Sequence, residues 1–219
     1  MSITHLKKIE YQIIDNKNLP LVFVGTTYYN QMLHTYFSTQ GYESSLLSVE
    51  KIADNDQAWF DQHQFICVSS NVATKRFVTE AIAKKNPHYF SIVGGDNQFF
   101  NLTIGRGVFI EHNCVSMWTD TIIGNHVTIG SYVELGHSTQ IGSYCHVSGY
   151  SFVVFANVGE GNCIATRTSI LGSRESILTT ATNCNFMVNS TVSKSIEETG
   201  TYYGNRRMND NSSIVYDIL

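Results

Sequence analysis

Four of this chain's eight histidines, the side chains best suited to proton transfer, lie close together in its second half. His112, His126, His137 and His146 fall within one short stretch. Imidazole can both take and release a proton near neutral pH, and it also ligates metals. A zinc site at a subunit interface would call for three converging histidines, two of them close in sequence, and this stretch has no such pair. The five cysteines, Cys67, Cys114, Cys145, Cys163 and Cys184, are odd in number and show no C-x-x-C spacing. They read as reduced, buried thiols, with neither a disulfide framework nor a zinc knuckle, and no metal is expected.

Two different periods must position these groups. From residue 19 to 95 the chain alternates short apolar runs with helical stretches. Leu21–Val24 reads as a buried strand that ends at Gly25. A helix from Tyr28 to Gln40 follows, stopped by Gly41. Ser45–Val49, Phe65–Val68 and Tyr89–Val93 read as further strands, and Gln57–His63 as a short helix. A helix over Val72–Lys85, capped by Ser70 or Asn71, would bury Ala73, Phe77, Val78, Ala81 and Ile82. This βαβαβαβ order predicts a small parallel α/β sheet, Rossmann-like in layout.

After Gly94-Gly95 an apolar residue recurs every six positions: Ile104, Ile110, Ile123, Ile129, Leu135, Ile141, Val147 and Val153, then, after a slip, Val158, Ile164 and Ile170. Hexapeptide repetition predicts a parallel β-helix, left-handed, with eighteen residues per coil. Four positions after each large residue the side chain should point inward and be small. Those places hold Val108, Cys114, Val127, Val133, Thr139, Cys145, Ser151, Asn157, Asn162 and Thr168, and the rule fails at Arg174. The predicted organisation is therefore an α/β domain over 1–95, a left-handed β-helix over 98–195, and a tail or cap over 196–219. The α/β domain should cover the first coil, and the tail should cover the other end or reach a neighbouring subunit.

The chain has 219 residues and a formal net charge of −4, without a basic run, so nucleic acid is a poor partner. No stretch reaches the ~18 apolar residues of a membrane span. The first ten residues lack the apolar core of a signal peptide, and a cytoplasmic location is expected.

A small Rossmann-like domain followed by a hexapeptide β-helix resembles the bacterial sugar acetyltransferases of the sialic-acid O-acetyltransferase and bacillosamine N-acetyltransferase group. The sharpest local match is Leu135-Gly136-His137-Ser138-Thr139-Gln140-Ile141-Gly142-Ser143-Tyr144-Cys145-His146-Val147-Ser148. It reproduces the family's two histidines nine residues apart across an Ile-Gly pair. The closing Gly204-Asn205-Arg206-Arg207 is similar to the family's terminal motif but lacks its Pro and Ala.

The resemblance implies that His137 is the general base for transfer from acetyl-CoA to an amino or hydroxyl group of a sugar, nucleotide-linked in the family. It places His146 near the thioester end of CoA and Arg167 at a CoA-lining position from which it can meet a phosphate. It also implies a homotrimer with active sites between neighbouring β-helices. Many family members follow the base with Asp or Glu. This chain has Ser138, whose hydroxyl can orient the ring but carries no charge; Glu134 or a carboxylate from a neighbouring subunit are the other candidate orienters. The family's glycine-rich first turn, which holds nucleotide phosphates at a helix N-terminus, is here Gly25-Thr26-Thr27-Tyr28, with one glycine. Thr26 and Thr27 offer hydroxyls, and Tyr28 a ring for stacking. Two other readings compete: a β-helix protein that only binds, and a β-helical zinc enzyme.

Overall fold

The computed structural model describes residues 10–117 and 120–208. The expected features of the first nine residues, and the part of the expected cap beyond residue 208, lie outside them.

The α/β part forms as its sequence dictates. Strand β1 (Tyr11–Ile14) is followed by β2 (Leu21–Val24), α1 (Tyr28–Thr39), β3 (Ser44–Leu47), α2 (Gln57–Asp61), β4 (Gln64–Ile66), α3 (Val72–Ala83), β5 (His88–Tyr89) and β6 (Ser91–Gly94). The caps are local: Thr27, Asp56 and Asn71 each accept a bond from the backbone N–H three residues on. Strands β3-β2-β4-β5 make a parallel sheet in that order, and β2 is buried along its whole length.

The strand expected over Tyr89–Val93 divides at Phe90. β5 stays with the α/β sheet, while β6 pairs parallel with Phe109–Ile110 and antiparallel with β1. One apolar run thus serves two sheets, and the fully buried Phe90 sits in the join. β1, which has no signal in the sequence reading, is the outermost strand of the second sheet.

From there the chain winds a left-handed β-helix of about six turns. The turns contribute short strands to three parallel faces, one per turn except in the last, where face three has only the Thr180–Ile196 bridge. Face one holds Phe109–Ile110, Thr128–Ile129, His146–Val147, Cys163–Ile164, Asn185–Phe186 and Thr201–Tyr203. Face two holds Gln98–Phe99, Val115–Ser116, Glu134–Leu135, Phe152–Val154, Ser169–Leu171 and Thr191–Val192. Face three holds Thr103–Ile104, Ile122–Ile123, Thr139–Ile141, Ala156–Val158 and Leu178–Thr179.

The six-residue period marks the inside of the prism. Ile110, Ile123, Ile129, Leu135, Ile141, Val147, Val153, Ile164 and Ile170 are all buried in one continuous core. The glycine after the large residue answers to coil spacing: a Cβ on Gly124 or Gly142 would lie 2.7 Å from a backbone nitrogen of the next coil. The small inward positions carry a second pattern. The hydroxyls of Thr139 and Ser151 and the thiols of Cys114 and Cys145 each donate to a carbonyl of the following coil, at 3.0–3.1 Å. The thiols therefore serve as weak donors in a packed interior, and all five cysteines are free.

Three expectations need correction. Asn157 is exposed, and Ala156 takes its inward place, because the corner at Phe155 advances by seventeen residues rather than eighteen. The stacking does not stop where the repeat fails at Arg174. That residue lies in an exposed loop, after which Leu178, Phe186, Val192 and Tyr202 continue the core. Finally, α3 buries Lys75, Val78, Thr79 and Ile82, while Ala73 and Phe77 are exposed. Its face is turned because α3 packs on the β-helix as well as on its own sheet.

The α/β domain packs on the outer side of face one, through Phe109 in the first coil and further along the stack. The Lys75 ammonium reaches face one, donating to Thr128 Oγ1 at 3.0 Å and to the Cys145 carbonyl at 2.9 Å. Arg76 pairs with Glu160 at 3.0 Å and lies over the Tyr144 ring. At the far end of face one, Thr201–Tyr203 turns back antiparallel onto Arg206–Arg207, so an antiparallel strand closes both edges of this sheet.

Candidate active site at a β-helix corner

His137 lies between a face-two strand, Glu134–Leu135, and a face-three strand, Thr139–Ile141. This corner is opposite the face that the α/β domain covers. The inward Leu135 and Thr139 on either side leave the intervening residues on the outside, and His137 is half-buried there. The ring of Phe155, from the next coil, stacks on the imidazole with centroids 5.4 Å apart and planes 12° from parallel. The Phe155 N–H donates to the His137 carbonyl at 2.7 Å. A ring fixed between coils loses little further freedom when it is used, which favours a positioned base.

Of the two candidate orienters, Glu134 is exposed on its strand, and Ser138 is already engaged. Ser138 has a left-handed backbone, φ 47°. Its N–H donates to Asp120 Oδ1 at 2.9 Å and its hydroxyl to Asp120 Oδ2 at 2.6 Å. Those two bonds hold the Asp120 carboxyl below its ordinary range, with a smaller contribution from the positive charge His137 can carry. Asp120 is the group that the sequence reading missed. The signal was available, since one coil is eighteen residues and Asp120 stands eighteen before Ser138.

His146 is placed quite differently. It lies on face one beneath the α/β domain, 6% exposed. Its Nε2 is 2.9 Å from the Ser148 hydroxyl, and its Nδ1 is buried without a hydrogen-bond partner. Burial, with the nearby Lys75 charge second, pushes its pKa down to about 3, so the ring is neutral. His126, also on this side and packed against Tyr89 and Tyr144, is pushed down to about 4 by burial first. His137 and His146 are thus not brought together.

Arg167 is exposed at the corner between faces one and two, with a left-handed backbone. Its guanidinium lies 5.9 Å from the Tyr150 ring, which in turn stacks on Tyr132 at 4.9 Å. Face two separates this corner from that of His137.

The first βα turn lies at the switch point between β2 and β4, where open α/β sheets take ligands. In this chain it is stitched shut. The Thr27 hydroxyl donates to the Val68 carbonyl at 2.8 Å and accepts from the Asn30 N–H. The buried Asn30 amide bonds the Val24 and Gly25 carbonyls and accepts from the Val68 N–H. Gly25, at φ 93°, makes the turn, and Thr26 and Tyr28 are left exposed. Among the described residues, no three His, Cys, Asp or Glu side chains converge as metal ligands. No described helix is long and apolar enough to cross a membrane.

The bacterial transferase hexapeptide family (six repeats) matches residues 120–154, which span Asp120, His137 and His146. No curated protein matches the chain by sequence. Solved structures resemble it along nearly their whole length. The acetyltransferase domain of PglB from Neisseria gonorrhoeae, in complex with acetyl coenzyme A, has a TM-score of 0.74 at 14% identity, covering 88% of this chain and 99% of that one. PerB from Caulobacter crescentus, in complex with CoA and GDP-perosamine, has a TM-score of 0.73 at 11% identity, covering 86% and 96%. At such identities the likeness speaks for the fold: residues 120–154 match the hexapeptide model, and the chain shares the two-part architecture of these two structures.

Proposed function

We propose that the protein transfers an acetyl group from acetyl-CoA to an amino or hydroxyl group of a nucleotide-linked sugar, in bacterial surface-glycan biosynthesis in the cytoplasm. One observation carries this reading. The chain follows, over nearly its full length, a domain solved with acetyl-CoA and an enzyme solved with CoA and a nucleotide sugar.

His137 is the general base. It takes the proton from the acceptor N–H or O–H as that atom attacks the thioester carbonyl. The tetrahedral intermediate collapses with cleavage of the C–S bond, and the imidazolium returns its proton to the departing CoA thiolate. Arg167 is the cation we assign to a CoA phosphate. His146, enclosed under the α/β domain, is left out of the reacting site. Thr26 and Tyr28 are the exposed part of the first turn and are assigned to the acceptor, whereas Gly25 and Thr27 only shape that turn.

The first turn and His137 lie on different sides of one β-helix, so we assign the complete site to a homotrimer in which a second copy supplies the acceptor domain. The surface around the His137 corner supports this. Phe100, Met117, Ile122 and Ile177 are all exposed there, an apolar collar that suits a second copy.

The test is release of CoA from acetyl-CoA with a panel of nucleotide-linked amino sugars and their hydroxyl counterparts, together with sedimentation to read the oligomer. The expected result is acceptor-dependent thiol release by a trimer. Tight acetyl-CoA binding without turnover on any acceptor would instead favour a binding protein.

A further inference from the structure

The corner that carries His137 is assembled from three successive coils, and the carboxylate from the preceding coil is the part with no assigned role. Asp120 places one oxygen on the backbone N–H of Ser138 and the other on its hydroxyl, at 2.9 and 2.6 Å. Ser138 is the residue directly after His137, and its left-handed backbone is costly for a side chain other than glycine. The bracket therefore fixes the turn from which His137 projects. Phe155 fixes the ring from the coil on the other side.

A second bracket serves as an internal control. Glu111 Oε2 accepts from the Ser131 N–H at 3.0 Å and from the Ser131 hydroxyl at 2.6 Å. Here the residue before the serine is Gly130, and the carboxylate lies near Tyr11 and Tyr29 of the α/β domain. An acid–serine bracket is thus a device of this solenoid for pinning a corner. At the His137 corner the pinned turn itself bears the imidazole and the carboxylate is exposed, whereas at the other corner the histidine, His112, follows Glu111 on the coil that supplies the carboxylate and is half-buried.

We infer that Asp120 is a positioning residue for the transfer reaction: from the preceding coil it holds Ser138, and with it His137, and places a negative charge beside the imidazolium that forms when His137 accepts the acceptor's proton. The chain lacks an acid next to His137 in sequence, and the coil repeat delivers one in space. This inference rests on the reading of His137 as the base.

The test pairs Asp120→Asn with Glu111→Gln in the full-length protein and follows both turnover and the histidine resonances. For Asp120→Asn we expect a roughly tenfold or greater fall in kcat, an acetyl-CoA KM within about twofold of wild type, and an acid limb of kcat/KM moved to lower pH. The His137 ring resonances should move or broaden relative to wild type, because the turn that carries the ring is released, whether or not an acceptor is known. Glu111→Gln should leave the pH profile and those resonances in place. Adding Ser138→Asp to Asp120→Asn puts the carboxylate next to His137 and should recover most of the lost kcat.

His137 ring resonances left unmoved by Asp120→Asn, or an activity loss equal to that of Glu111→Gln with no change in pH profile, would overturn the inference. Failure of the functional reading looks different: the wild type would turn over no acceptor, or His137→Ala would be fully active, while the resonance shift still reports on Asp120.

Discussion

His137 and His146 stand nine residues apart, half a coil from one another, yet they occupy opposite electrostatic settings. His137 is half-buried at a free corner, with the Asp120 carboxylate nearby and Phe155 stacked upon it. His146 is enclosed under the α/β domain with the Lys75 ammonium nearby, and burial keeps it neutral. Nine is one and a half hexapeptides, so one residue falls at a turn and the other in a strand. The first setting is suited to a base that becomes cationic during a reaction. The second penalises a cation, and suits a structural ring.

Substitution should separate the two settings most sharply. His137→Ala is expected to lower kcat/KM by about three orders of magnitude, with acetyl-CoA binding and thermal stability near wild type; a fully active variant would remove the distinction between the histidines. His146→Gln should do the reverse, with the folded fraction keeping its kcat while the protein loses stability by ~1–3 kcal/mol.

Acid titration sharpens the contrast from the other side. The folded-state pKa of His146 lies near 3, against 6.5 for the free side chain. Between those values the unfolded chain binds a proton that the folded chain does not. Stability is therefore complete above pH 6.5 and falls as the pH drops toward 3, by roughly 4 kcal/mol from this group. Chemical denaturation at a series of pH values should show a shallower acid loss in His146→Gln than in wild type.

Lys75 tests the contact that encloses His146. Burial brings its pKa down to about 8 from 10.5, so the folded chain releases its proton first and stability from this group rises between those values. The stability difference between wild type and Lys75→Met should move by roughly 3 kcal/mol in favour of wild type from pH 8 to pH 10.5. A flat difference would mean that the ammonium is not enclosed. The smallest effect is expected at the exposed Tyr132–Tyr150 stack, where Tyr150→Ala should cost about 1 kcal/mol by thermal melting.

Much of this was legible beforehand because a solenoid writes its geometry locally. The inward rows, the Ile-Gly pairs and the corner position of His137 all follow from a period of six. The Asp120–Ser138 bracket was legible in principle from the eighteen-residue coil. By contrast, the α3 face was misread because Lys75 resembles a surface lysine until its partners, Thr128 and the Cys145 carbonyl, are seen. The closed first turn was half-visible: the single glycine showed, but not that Asn30 would fill the crevice.

The sequence by itself determined most of the inside of the prism as far as the loop at Arg174, because an inward position is squeezed by the coil above and below and tolerates only a side chain of the right size. Tertiary structure decided the outside. Strand alternation sends His146 and Thr128 outward whether or not anything covers them, and docking of a separate α/β unit buried the one and bonded the other. It also brought Asp120 to the corner of His137, a proximity that one coil of stacking creates and that no adjacent pair of residues spells out.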